Sequence, residues 1–416
     1  MKSFFLSILI TVFVQASLAQ SGNYWTQKSS LPDSAREYAI GFSINNKGYV
    51  GTGNKDGGNY LWDFWEYTPV PDVWTRKADF TPGIDSVGRR SASGFGIGNK
   101  GYIGPGVGQD TIPPTQGDTM YNDFWEYNVS TNLWTQKTIL PMVGRQYYVA
   151  FSINGKGYIG TGETGGFSGV LLNDFWEYDT ITDTWTQKAS FGGTARYLAV
   201  GFSLLGKGYI GTGLDASNYR NDFWEYDPVV NNWIQKASLP IGVSRSAAIA
   251  FSIETIGRGY IGLGGGSSFF GDLREYNPIT DTWTIKASFP GGVRLGASGF
   301  SIGNKGYVSC GSNGTTRYND LWEYTPDSLT SVEEIEQLQA NIYPNPSNGN
   351  FSISINEKEF NVTVYDVTGK MIYENKNEKQ INLTTQPKGI YFLKITAEDL
   401  PTGQAGKTYS QKLIIQ

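Results

Sequence analysis

Apolar and polar residues alternate in short runs along most of this chain, and Gly, Asn, Asp or Pro breaks each run. The stretch NDFWEYDTITDTWTQK (173–188) shows the pattern. In FWEYD, Trp and Glu fall on opposite faces of a period-two strand. Turn residues follow, and a second strand begins at the Trp of WTQK. Near copies of this hairpin recur. WTQK or a close variant begins at Trp25, Trp74, Trp134, Trp185, Trp233 and Trp283, with spacings of 49, 60, 51, 48 and 50 residues. Such a period governs every local reading.

Between markers the order of features is constant. First comes an Arg: Arg36, Arg89, Arg145, Arg196, Arg245 and Arg294. Six residues later comes a Phe: Phe42, Phe95, Phe151, Phe202, Phe251 and Phe300. A Gly-Tyr pair follows, as in GKGYIGTG (155–162), and then the acidic-aromatic run. Each unit reads as four strands. Strand a follows the Arg (QYYVAFSI, 146–153, in unit three), b is GYIGTG, c is DFWEY, and d starts near the WTQK tryptophan. The strand c Tyr and the next Trp are seven residues apart in all five complete hairpins.

A four-stranded unit of about 50 residues with a Gly motif, a Tyr and a spaced Trp resembles the kelch repeat. The resemblance spans residues 24–326, with the family's Gly doublet mostly written Gly-Thr-Gly. It implies an all-β fold, a six-bladed kelch-type β-propeller with one unit per blade. The termini point the same way. Unit six ends at Asp320-Leu321-Trp322-Glu323-Tyr324 without a d strand, and the chain opens with a spare one, Asn23-Tyr24-Trp25-Thr26-Gln27-Lys28. The expectation is a propeller over 20–326 whose last blade is closed by the N-terminal strand, which removes an exposed sheet edge. Buried aromatics between blades would each contribute about 1.5–3 kcal/mol.

After Tyr324 the pattern stops. Residues 327–340 read as a polar linker, and 341–416 as a small C-terminal β-sandwich of alternating strands with Asn, Gly and Pro turns. A hairpin is expected around Thr368-Gly369. This tail resembles the C-terminal sorting domain of type IX (Por) secretion cargo. The matching residues are Tyr343-Pro344-Asn345-Pro346, Asn348-Gly349, Tyr365-Asp366, Gly369-Lys370, Leu383, Pro387-Lys388-Gly389-Ile390-Tyr391 and Lys412-Leu413-Ile414-Ile415. The resemblance implies the type IX machinery as a partner, and a protein that is secreted or held at the outer-membrane surface. The N-terminus agrees with export. Lys2, an apolar run from Phe4 to Val14 and the small-x-small Ser17-Leu18-Ala19 read as a signal peptide over 1–19. The run is short for a membrane span, and no other segment is long and apolar enough to cross.

Composition narrows the chemistry. Histidine is absent, which removes Ser-His-Asp and Cys-His nucleophiles and His-ligated metals. The single cysteine, Cys310, forms no disulfide within the chain and reads as a small packed residue. A net charge of -5 argues against nucleic acid as a partner. No cofactor or metal is expected. Asn54-Lys55-Asp56-Gly57 lacks the spaced acids of a calcium loop, and Gly264-Gly265-Gly266 opens no helix to cradle a phosphate.

Strand direction places function. The d–a and b–c connections share one face, and the short a–b and c–d turns share the other. The b–c connections differ most: 54–61, 107–121, 163–172 and 214–220. Recognition residues favour variable loops on a rigid scaffold. The candidate ligand-binding residues are therefore Tyr60, Trp62, Gln109, Asp110, Asp118 and Tyr219, with the six arginines as a ring for an anionic group. The arginines also have a structural reading. Each strand c opens with an Asp (Asp63, Asp123, Asp174, Asp222, Asp272, Asp320), and the two sets can pair between blades. A residue repeated in every blade serves the blade. The preferred function is a non-catalytic recognition module for a glycan or protein, with no catalytic residue assigned. The second reading is a carbohydrate-active enzyme similar to the six-bladed sialic acid mutarotases, using Arg and carboxylates. Galactose oxidase-like chemistry would need histidine ligands that this chain lacks. Unit five carries Arg274 where its siblings carry Trp.

Overall fold

The computed structural model of the chain describes residues 22–81, 88–110, 117–165, 169–327, 340–355, 359–367, 369–397 and 408–416. The expected signal peptide, nearly all of the linker and the turn residue Thr368 lie outside them. The chain divides into two compact units, Met1–Asp327 and Ser328–Gln416.

In the first unit each repeat forms one four-stranded antiparallel sheet. In repeat three the order runs from Val149–Ile153 through Lys156–Gly160 and Phe175–Asp179 to Thr184–Gln187. Repeats one, two, four and five follow the same order. The sixth sheet has Ser298–Ile302, Lys305–Ser309 and Leu321–Thr325, and takes its fourth strand from the other end of the sequence. Tyr24–Lys28 pairs antiparallel with Leu321–Thr325, Trp25 opposite Tyr324. That register is the one Trp185 keeps with Tyr178. Strand a is shorter than the alternation suggests. It begins at Val149 rather than Gln146, because the backbone turns into the left-handed region at Tyr147.

Three repeated features join each sheet to the one before it. The glycine of the Gly-Tyr pair is a landing for the preceding unit's Phe. A Cβ on Gly157 would lie 2.1 Å from the ring of Phe95, and one on Gly48 would lie 2.3 Å from that of Phe300. The repeated Gly and Phe are thus two halves of one contact. Next, a left-handed Asp or Asn in the c–d turn ties two outer strands together. Asp183 accepts from the Tyr178 hydroxyl at 2.6 Å and from the Thr138 amide at 3.0 Å. The sixth sheet has no c–d turn, yet Asn23 takes this position and accepts from Tyr324 and from the Ala287 amide. Finally, the strand d tryptophan donates Nε1 to a carbonyl just past the preceding outer strand, as in Trp185 to Thr138 and Trp25 to Ala287.

The 107–121 connection is not a free loop. Gly106–Asp110 pairs with Gly117–Tyr121 in an antiparallel arm, and Arg89–Arg90 adds a third short strand. Pro113, Pro114 and Gln116 fall outside the described residues, as do the side chains of Gln109 and Asp110.

The second unit has a three-stranded sheet (Ala340–Tyr343, Asn350–Ile355, Gln380–Asn382) and a four-stranded sheet (Phe360–Tyr365, Met371–Lys376, Gly389–Ala397, Thr408–Ile415). Alternate residues of both, among them Ile342, Phe351, Val362, Leu393 and Leu413, fill one shared core. The Tyr-Pro-Asn-Pro segment fastens the end of the chain. Asn345 donates to the Lys412 carbonyl at 2.7 Å and accepts from the Ile414 amide at 3.0 Å. Gly349 sits at φ 104°, where a Cβ would meet the Thr384 backbone at 2.8 Å. Gly369, at φ 84°, closes the turn of the expected hairpin onto Asp366. Gly389 opens its strand, and Tyr391 is buried with its hydroxyl on the Pro387 carbonyl.

Candidate functional site

The six arginines do not line an opening. All are 0–1% exposed, and each grips its own unit's Asp. Arg196 donates Nη1 to Asp222 at 2.6 Å and to the Thr212 carbonyl at 2.8 Å, and Nη2 to the second Asp222 oxygen at 2.8 Å. Arg36, Arg89, Arg145, Arg245 and Arg294 hold Asp63, Asp123, Asp174, Asp272 and Asp320 in the same forked way. The expected pairing between blades is therefore corrected. The ion pair lies within a unit, and the arginine backbone makes the crossing. The Arg196 amide donates to Leu172 of the unit before, and its carbonyl accepts from Gly162. Burial alone would raise the Asp222 carboxyl, but Arg196 outweighs it and holds the group below its usual range.

The strand c tryptophans complete this layer. Trp224 Nε1 donates to Asp222, and Trp65, Trp125, Trp176 and Trp322 do the same to theirs. In unit five the Arg274 Nε donates to Asp272 at 2.8 Å. The odd residue thus keeps the donor and changes only its carrier. The repeated glutamates are equally engaged. Glu66, Glu126, Glu177, Glu225, Glu275 and Glu323 each accept from a strand b tyrosine. Cys310 is buried, and burial pushes its thiol up.

Directly above lies a second layer of another character. The residues two positions after each arginine are Tyr38, Ser91, Tyr147, Leu198, Ala247 and Gly296, all at φ 49–62°. Their backbones form a closed cycle of six hydrogen bonds. Ser91 donates to Tyr38, Tyr147 to Ser91, Leu198 to Tyr147, Ala247 to Leu198, Gly296 to Ala247 and Tyr38 to Gly296, at 2.8–3.2 Å. All six line one cavity of about 180 Å³, together with the starts of all six innermost strands. A Cβ on Gly296 would approach the Tyr38 ring at 3.0 Å.

Here the repeat is broken. The residues one after each arginine are Glu37, Arg90, Gln146, Tyr197, Ser246 and Leu295. Units one to three present polar side chains at this mouth, and units four to six mostly apolar or small ones. Arg90 is the hub of the polar half. It donates to the Tyr60 hydroxyl at 2.7 Å, to that of Tyr147 at 3.0 Å and to Asp118 at 3.0 Å, and Tyr60 also donates to Asp118. Burial and the Asp118 bond push the Tyr60 phenol up to about 12. Arg317 binds Glu37 and Asp56. Gln146 donates to Glu163 at 2.8 Å. The rings of Tyr38, Tyr147 and Tyr197 follow one another at 5.1 and 6.1 Å.

Of the residues expected from the sequence, Tyr60 and Asp118 meet here, and Tyr219 lies exposed beside Tyr197. Trp62 is exposed and joins none of these contacts, and none of Tyr60, Trp62, Asp118 and Tyr219 lines the cavity itself. Sequence reasoning missed Glu37, Tyr38, Arg90, Gln146, Tyr147, Glu163 and Tyr197. The signal was available. With the six units lined up on the arginine, the next two columns are ones that fail to repeat.

Comparison with known proteins fits this architecture. Residues 164–192 match the kelch motif, and residues 341–416 match the secretion system C-terminal sorting domain. The chain therefore carries a kelch motif and a sorting domain, and the latter indicates secretion or placement at the outer-membrane surface. The fold matches the solved structure of YjhT at 18% identity and a TM-score of 0.60, covering 70% of this chain and 96% of that one. Among curated proteins none matches the chain in sequence. Among the described residues no helix is long and apolar enough to cross a membrane, and no group of three or more His, Cys, Asp or Glu side chains is placed to hold a metal.

Proposed function

We propose that residues 20–326 form a six-bladed propeller closed by the N-terminal strand, which recognises a glycan or protein ligand on its b–c and d–a face without catalysis. The signal peptide would deliver the chain to the periplasm, and the type IX machinery, engaging 341–416, would carry it outward. The observation that carries the recognition reading is the break in the repeat at the mouth. Side chains that differ from unit to unit there, polar on one side and apolar on the other, are free of the scaffold's symmetry. The mutarotase-like alternative, which would use Arg and carboxylates, could not draw on the six buried arginines. It would fall to Arg90 and Arg317, already paired with Asp118 and with Glu37 and Asp56 respectively.

Binding is tested with the purified protein on a glycan array, with Tyr197→Ala and Tyr219→Ala beside Asn154→Gly in an a–b turn of the opposite face. The first two should lose the ligand and the third should keep it. Equal loss from both faces would defeat the assignment. Export is tested by deleting 341–416. The truncated protein should accumulate in the periplasm, folded, and its appearance outside the cell at normal levels would contradict the sorting role.

A further inference from the structure

The polar half of the mouth is neutralised everywhere but at one corner. Arg90 is balanced by Asp118 and tied down by two phenols. Glu37 is balanced by Arg317. Glu163 differs. Among the described residues no cation reaches it within ion-pair distance, and its one side-chain partner is the neutral amide of Gln146. That amide, 7% exposed, has its own oxygen left without a donor. Two acceptors therefore stand together with no cation paired to either; the nearest guanidinium, that of Arg90, is spent on Asp118, Tyr60 and Tyr147 and acts on Glu163 only at longer range. A buried acceptor without a donor is costly, and the Glu163 carboxylate, which among the described residues accepts only from the Gln146 amide, has capacity left for a donor that arrives from outside.

Aromatic faces flank it. Tyr147 and Tyr197 lie 6.1 Å apart, and Tyr219 extends the series outward at 41% exposure. Backbone bridges set Tyr197 opposite Leu214, Leu214 opposite Tyr219, and Gln146 opposite Glu163, and burial followed by the Glu163 charge raises the Tyr197 phenol. The hydroxyls of Tyr197 and Tyr219 make no hydrogen bond among the described residues. The Tyr147 and Tyr197 rings are inclined at 52° to one another, and a carboxylate beside such rings attracts an organic cation through its charge and the ring quadrupoles. The exposed ring of Tyr219 and the half-buried ring of Tyr197 suit a pyranose.

Resting on the recognition reading above, we propose that the corner formed by Gln146, Glu163, Tyr147, Tyr197 and Tyr219 binds a glycan carrying a free, unacetylated amino group. The ammonium faces Glu163 and the sugar ring stacks on the tyrosines. Acetylation would remove the charge and two of the three N–H donors.

The test is calorimetry of the full chain with glucosamine hexamer and with N-acetylglucosamine hexamer. The amino form should bind at least about tenfold more tightly, and Glu163→Gln, which keeps the Gln146 bond, should erase that preference at unchanged Tm. Asp179→Asn on the opposite face should not, which separates the site from general attraction of a polycation to an acidic protein. Equal binding of the two hexamers, or an undiminished preference in Glu163→Gln, would overturn the inference. Binding of hexalysine without glucosamine hexamer would overturn it also. If array ligands lacking amines bind in a Tyr197-dependent way, this inference alone fails. If no ligand of any class responds to mouth substitutions, the recognition reading fails with it.

Discussion

Arg196 and Tyr197 are neighbours in the chain, yet they belong to regions built on opposite principles. The arginine layer repeats. All six guanidiniums are buried and forked onto an aspartate, with indoles or Arg274 completing the set. The mouth layer, one and two residues further on, shares a single backbone conformation but hardly a side chain. The difference shows what repetition does in this molecule. A contact that must be made at every junction is written once per unit, and the side chains of the mouth, which make no such repeated contact, escape the rule.

The comparison breaks most completely if the junction between the last and first units is opened. Deleting residues 20–29 removes a whole strand from the sixth sheet, together with the Asn23 and Trp25 bonds to Ala287. Aggregation or the largest fall in Tm of any variant is expected in a thermal melt, since an edge is exposed and a core face uncovered. A melt within a few degrees of the intact protein would mean that the sixth sheet does not depend on this strand. Next in size is Arg196→Ala, which strands Asp222 without its guanidinium. Breaking a buried pair from one side costs about 3–5 kcal/mol, readable by urea unfolding. The same substitution at Arg145 should cost a similar amount, because the layer is repeated.

Acid sharpens the contrast. Burial would raise Asp222, Asp272, Glu66 and Glu177, but their Arg, Lys and Tyr partners win and hold all four below the usual carboxylate range. Groups with depressed folded values stabilise the protein above their unfolded values, near pH 4. That contribution is lost as pH falls through the folded values. Stability should stay nearly flat from pH 8 to 5, where a chain without histidine titrates little, and then drop below about pH 4. Glu163 runs the other way. Burial raises it against the opposing effects of Gln146 and Arg90, so amine binding should weaken at a higher pH than unfolding does. A smaller effect belongs to Arg274. Its change to Ala removes one donor from Asp272 and should cost about 1–2 kcal/mol, and Arg274→Trp should restore most of it.

The fold was legible because its contacts recur. The Trp spacing, the Arg-to-Phe interval and the spare N-terminal strand led to six sheets and to the strand that completes the last. The Gly-Tyr pair was visible as a motif, but its cause was not, because the Phe that lands on Gly48 comes from 252 positions away, at Phe300. Arg274 was opaque for a related reason, since indole and guanidinium share only an N–H. The 107–121 connection looked like a loop because its Gly, Pro and Gln content shows no apolar alternation, although 106–110 pairs with 117–121. The site was the least legible. Loop length drew attention to the long connections, whereas the side chains gathered around the cavity sit beside the arginines, where a constant landmark hid the change in the columns next to it.

The most direct measurement compares the thermal melts of Arg196→Ala and Tyr197→Ala in the otherwise intact chain. A repeated scaffold layer under a variable recognition layer predicts a drop of about 5–15 °C for the first and a shift of no more than about 2 °C for the second. Equal drops, or a larger one for Tyr197→Ala, would contradict the division between the two layers.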